Sequence, residues 1–115
     1  MKEITLKFNL SDSEYFTALR LVAGSVCSIV DIDIDTIEDF KVCITESALI
    51  LKNCGFEEVL VTFSPEKGVV CSLEGLNGSP CSGENSLSLA LIGALVSEFE
   101  IKENDGVIKR VTLKI

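Results

Sequence analysis

Hydrophobic and polar positions recur with two different periods along this chain, and the switches between them mark its elements. From Glu3 to Leu10, Ile4, Leu6 and Phe8 alternate with Thr5, Lys7 and Asn9, the period of a strand with one buried face. Ser11 and Glu14 then match the S-x-x-E capping box. Tyr15, Leu19, Val22, Val26 and Ile29 follow at helical spacing, predicting a first helix that runs to about Val30. Asp31, Asp33 and Asp35 alternate with Ile32 and Ile34, but a calcium loop of the EF-hand type needs a glycine where Thr36 stands and a glutamate where Val42 stands. The simpler account is a polar link whose last residue, Asp35 or Thr36, caps the next helix.

That second helix, ending at Asn53 with Gly55 placed to stop it, organises the rest. Glu38, Lys41, Thr45 and Lys52 form a narrow polar stripe, and Ile37, Phe40, Ile44, Ala48 and Leu51 lie opposite. Glu46 is on neither face. It lies roughly 100° round from the stripe, near Val42, Leu49 and Ile50, so its carboxylate is expected to face a partly apolar groove, where it is either paired or functional.

Beyond Gly55, Glu57 to Ser64 and Val69 to Leu73 read as a hairpin joined by Pro65-Glu66-Lys67-Gly68. Gly75 to Asn85, GLNGSPCSGEN, is the long irregular loop. Asn85 or Ser86 caps an apolar helix, SLSLALIGALVSEF, whose lack of charge before Glu98 predicts that it is covered on most sides. Phe99 to Glu103 and Val107 to Ile115 flank Asn104-Asp105-Gly106, a tight reversal. The order β-α-α-β-β-α-β-β predicts an α/β two-layer sandwich, with the helices on one face of a mixed, mostly antiparallel sheet.

Composition narrows the chemistry. With 115 residues, 47% of them hydrophobic, the chain suits a single domain spanning residues 1–115. A net charge of −8 argues against nucleic acid and anionic membranes as partners. The five cysteines, an odd number with no CxxC spacing, fit reduced buried thiols and a cytoplasmic location. No basic leader precedes an apolar stretch and no long uncharged run is present, so neither export nor membrane spanning is expected. The absence of histidine excludes histidine triads and Cys/His zinc sites.

The run Ile37 to Ala48, IEDFKVCITESA, resembles the N-box helix of the anti-sigma-factor serine kinases, a branch of the GHKL ATPase superfamily with the Bergerat, histidine-kinase-like fold. The resemblance runs from Tyr15 through Asn53. The first strand, the apolar third helix and the terminal hairpin ending in VIKRVTLKI follow the family's order, so it covers nearly the whole chain. It implies that Glu46 is the catalytic base beside the γ-phosphate. The family's magnesium-holding asparagine is replaced by Ile50, so no metal ligand is assigned. In the family's D-x-G motif, whose carboxylate accepts the adenine amino group, Leu73 takes the aspartate's place. Glu74 is the nearest acid, but a one-residue offset in a strand turns it to the other face. Ser86-Leu87-Ser88-Leu89 stands where a glycine-rich turn would receive phosphates, and the lid is cut to about the Gly75 to Asn85 loop. On this resemblance Asn53, Glu74, Gly75, Ser86 and Ser88 are the residues of a degenerate ATP pocket. There is no Walker A sequence to replace it.

The expectation is a protein that keeps the fold and binds ATP poorly or not at all. The resemblance implies an anti-sigma-factor-like regulatory module in a partner-switching circuit, gripping a sigma factor or an anti-sigma-factor antagonist, with a possible homodimer. The alternative is an active serine/threonine kinase that uses Glu46 as base, with ATP and magnesium as cofactors. A redox or small-molecule sensor working through Cys54, Cys71 or Cys81 is a third reading, against which no histidine or basic cluster lies nearby to activate a thiol.

Overall fold

The structure, a computed structural model, describes residues 2–65 and 67–115. Its elements are β1 (Ile4–Asn9), α1 (Glu14–Ile29), α2 (Ile34–Asn53), β2 (Glu58–Pro65), β3 (Val69–Leu76), α3 (Ser86–Leu95), β4 (Glu98–Asn104) and β5 (Val107–Lys114), in the order that the periodicity predicts. They build one sheet in the order β1-β2-β3-β5-β4, in which every pairing is antiparallel. Helix α2 is central, packing on β2, β3 and β5 with α1 and α3 on either side of it.

Strict alternation makes this two-layer arrangement. Across one row of the register, Leu6, Val61, Leu73, Val111 and Ile101 all project toward the helices, and Ile4, Phe63, Cys71, Leu113 and Phe99 form the next such row. Phe63, Val61, Cys71, Leu73, Val111 and Leu113 are fully buried there, against Phe40, Ile44, Ala48 and Leu51 of α2. The alternate residues, among them Thr5, Thr62, Ser72 and Thr112, lie on the opposite face.

Local chemistry sets the helix ends, and here the structure departs from the pattern. The Ser11–Glu14 capping box does not form: the Asn9 side chain accepts the Ser11 N–H at 2.7 Å and Asp12 accepts the Glu14 N–H at 3.0 Å. These short side-chain turns replace the box, since Asn and Asp bond readily two residues ahead, and Ser13, already helical in backbone, leads into the helix without a side-chain cap. The face of α1 that packs is Phe16, Leu19, Ala23, Val26 and Cys27, leaving Tyr15 and Ile29 of the expected stripe exposed. The second helix begins at Ile34, earlier than expected, because Asp33 rather than Asp35 or Thr36 is its cap. Thr36 donates both its N–H (3.1 Å) and its hydroxyl (2.7 Å) to the Asp33 carboxylate.

Gly55 does stop α2. With φ at 86°, it lets its own N–H reach Lys52 O and the Phe56 N–H reach Leu51 O, the paired bonds of a Schellman ending. Strand β3 continues through Leu76, past the expected Leu73, so Glu74 and Gly75 belong to the sheet. Of the turn joining β2 to β3, Glu66 lies outside the described residues. The β4–β5 turn has positive φ at both Asp105 and Gly106, as a tight hairpin requires.

The third helix differs most. It ends at Leu95, and Val96 is extended, because Phe99 and Ile101 pair with Leu113 and Val111 as part of β4. Nor is it covered: Ile92 alone is buried within it, while Leu87 is 75% exposed and Leu91 38%. It packs one face on α2 and the start of β4, and among the described residues no other element makes more than marginal contact with it.

Candidate functional site

The two candidate residues with the most specific expected roles, Glu46 on α2 and Ser88 on α3, meet. Ser88 Oγ donates to Glu46 Oε1 at 2.9 Å, across 42 residues of chain, so the half-buried carboxylate is paired. Glu46 also lines one end of a groove of about 430 Å³ between α1 and α2, together with Arg20, Leu21, Lys41 and Val42. Of the neighbours expected around Glu46, Val42 lines this groove and Leu49 and Ile50 do not; Glu38, Lys41 and Thr45 of the polar stripe line it instead. The Ile50 side chain turns inward and is fully buried in the core.

The remaining pocket residues sit at the C-terminal end of α2. Asn53 donates to Asn85 Oδ1 at 3.3 Å, and the Asn85 amide donates in turn to Gly83 O at 3.3 Å and approaches Cys54 Sγ at 3.6 Å. Asn85 is buried and stands at the N-cap position of α3 but makes no side-chain cap, because its Oδ1, the atom that would accept, is engaged by Asn53. Main-chain bonds from Ser79 N to Gly55 O (3.0 Å) and from Cys81 N to Cys54 O (2.8 Å) lay the rest of the loop along the end of α2. The segment is thereby tied down along the end of α2.

Gly75 faces the helices and is needed for close approach: a Cβ built on it would lie 2.4 Å from the ring of Phe56, itself buried. Glu74 drops out of the cluster. It is exposed and paired in register with Leu60 and Arg110 on the opposite sheet face, as strand alternation dictates. Ser86 is engaged by Glu84, whose carboxylate accepts both the Ser86 N–H, at 2.8 Å, and its hydroxyl. Those two bonds hold the Glu84 carboxyl below its usual range. They also set a negative charge where a phosphate would have to approach the N-terminus of α3. Glu84 was not legible as a site residue, although an acid two positions before a helix-starting serine is the signal.

The residues that the resemblance would set around a nucleotide do not fit magnesium-bound ATP. Ile50 and Leu73 are fully buried hydrocarbon without an oxygen to offer, Phe56 fills the space against Gly75, and Glu84 occupies the helix terminus. None of the three described cavities, the largest of about 560 Å³ at the β4 end of the sheet, is lined by Asn53, Glu74, Gly75, Ser86 or Ser88.

The α1–α2 groove is chemically mixed. Arg20 donates to Thr17 (3.2 Å) and, more weakly, to Thr45 (3.4 Å), and Lys41 pairs with Glu38 at 3.2 Å. A second hollow of about 500 Å³ continues it past Gly24 and Ser28 to Ile29 and Ile34, which are 64% and 72% exposed. Among the thiols, burial pushes Cys27 and Cys43 up to about 11 and Cys71 well above its usual value, so these three are poor nucleophiles at neutral pH. Cys81 is the exposed one. Among the described residues, no helix is long and apolar enough to cross a membrane. No protein-family model matches this chain, and neither does any curated protein.

Proposed function

We propose that this chain is a regulatory protein-binding module of the anti-sigma-factor type whose nucleotide site has been filled by its own side chains. The observation that supports the reading is that Ile50 and Leu73, for which the resemblance expects oxygen ligands, are fully buried hydrocarbon, and that the Phe56 ring fills the space against Gly75. What the helical layer keeps is a surface suited to another protein. Leu21, Ile29, Ile34 and Val42 are exposed along α1 and α2, with Arg20 and Lys41 between them. Apolar anchors beside a few fixed charges are what a helical partner needs for affinity and register. The partner would be a sigma factor or an anti-sigma-factor antagonist, met in the cytoplasm.

A thermal melt with millimolar magnesium-ATP tests the first half. A ligand that binds only the native state at about 100 times its dissociation constant adds about 2.7 kcal/mol and raises Tm by several degrees. No shift is expected. A clear rise overturns the reading in favour of a serine/threonine kinase with Glu46 as its base. For the second half, capture from the source cell is expected to return a transcription regulator with the wild-type chain and to lose it with Leu21→Asp. Equal recovery by both would remove the groove from the proposal.

A further inference from the structure

The sheet has two free edges, and only one of them is guarded. Strand β4 carries Glu98, Glu100, Lys102 and Glu103 and has a register shift between Lys102 and Glu103, features that keep an edge from pairing with another chain. Strand β1 has an unbroken register, and Lys7 is its one charge. Its unpaired groups can be assigned. The Leu10 N–H reaches Glu57 O at 2.8 Å, so by the alternation of an antiparallel ladder Ile4, Leu6 and Phe8 turn their main-chain groups to β2, and Thr5 and Lys7 turn theirs to solvent.

An apolar seam runs beside these groups. Ile4, Leu6 and Phe8 face the helical layer yet are only half-buried, because no strand lies beyond β1. Helix α1 packs against β1. Its Tyr15, Ala18 and Val22 fall on the flank opposite Thr17, Arg20 and Gly24, which line the hollows toward α2, so they are turned to the β1 edge. Tyr15 is 46% exposed, and Ala18 and Val22 are half-buried.

We infer that this edge is a docking site for an extended peptide of another protein, which adds a strand beside β1. The occupant's chemistry follows from what the edge lacks. Pairing with the main-chain groups of Thr5 and Lys7 requires an extended backbone, since a strand presents its N–H and C=O groups at the matching spacing. Alternate side chains, those that face the helical layer, must be apolar to cover Leu6, Phe8, Tyr15 and Val22. Positive charge is wanted at one end. Asp12, Glu14 and Glu57 are exposed just past the end of β1 and have no ion-pair partner among the described residues, whereas Lys7 is already held by Glu58 at 3.7 Å. A chain of net charge −8 also attracts a basic segment from a distance. A six-residue edge is about 20 Å long, so the affinity is modest, in the high micromolar to millimolar range. The edge shares no residue with the α1–α2 groove, and the two stand or fall separately.

Titration of the full chain with a synthetic peptide, followed by nuclear magnetic resonance, is the test. The probe alternates valine with threonine and ends in a pair of lysines; the control holds the same residues with the alternation scrambled. Binding of the probe is expected to shift resonances of β1 and of Tyr15 to Val22, and to slow amide exchange at Thr5 and Lys7. Thr5→Pro removes an outward N–H, leaves the pairing with β2 intact, and is expected to weaken binding at least tenfold with an unchanged circular-dichroism spectrum. A probe N-methylated on the amides that face β1 loses binding with the protein itself unaltered. Tyr15→Asp weakens binding as well, whereas Leu21→Asp in the groove leaves it unchanged. No response at millimolar probe, an equal response to the scrambled peptide, or shifts centred on β4 or α3 overturn the proposal. So does finding the Thr5 and Lys7 amides already protected in the free protein, which would give the edge to a second copy of the chain.

Discussion

Two single residues limit how far polar groups could be built into the interior beside α2. Ile50 has no exposed surface, so Ile50→Asn buries an amide among core side chains that cannot hydrogen-bond to it. The expected cost is about 3–5 kcal/mol in urea unfolding, a large part of the stability of a domain of this size. Gly75 is limiting for a different reason. Gly75→Ala places a methyl group into the Phe56 ring and is expected to cost about 1–3 kcal/mol. Phe56→Leu in the same chain should return part of that loss, whereas strictly additive costs would show that the ring is not what the methyl meets.

At the scale of elements, Asp33 is the clearest determinant. Its carboxyl is held below the usual range first by the Thr36 hydroxyl and then by the Thr36 N–H. A lowered folded-state pKa means that the cap is at full strength above the unfolded value and is lost as pH falls through the folded one, below about pH 4. Asp33→Ala should lower Tm by a few degrees at pH 7 and by progressively less on acidification. Asp33→Asn should keep most of the cap and lose that acid dependence, measured by thermal melts between pH 2.5 and 7. The strands and the Gly55 stop were legible because alternation and the Schellman ending are read from neighbouring residues. Which aspartate of DIDID caps α2 depends on the hydroxyl three residues on, which alternation does not report, so the cap is Asp33 and not the expected Asp35 or Thr36. The exposure of α3 was hidden for a different reason: composition reports that a helix is apolar, and only packing reports whether the chain has anything left to cover it. The Glu46–Ser88 contact joins residues far apart in sequence, so the spacing within α2 could say that Glu46 leaves the polar stripe and not what receives it.

For the molecule as a whole, the layer order explains why α2 holds both the core and the candidate site: it is flanked by the other two helices and rests on three strands. The loop from Asn77 to Asn85 has the composition of a soft connection, yet its Ser79 and Cys81 amides are bonded to the carbonyls that finish α2, and its Asn85 is clamped by Asn53. Motion of that loop is thereby tied to fraying of the central helix. In deuterated buffer those two amides should exchange on the timescale of the last turn of α2, hundreds of times more slowly than free peptide, while the neighbouring unbonded Ser82 exchanges quickly. Free-peptide rates at Ser79 and Cys81 would mean that the tie is broken in solution.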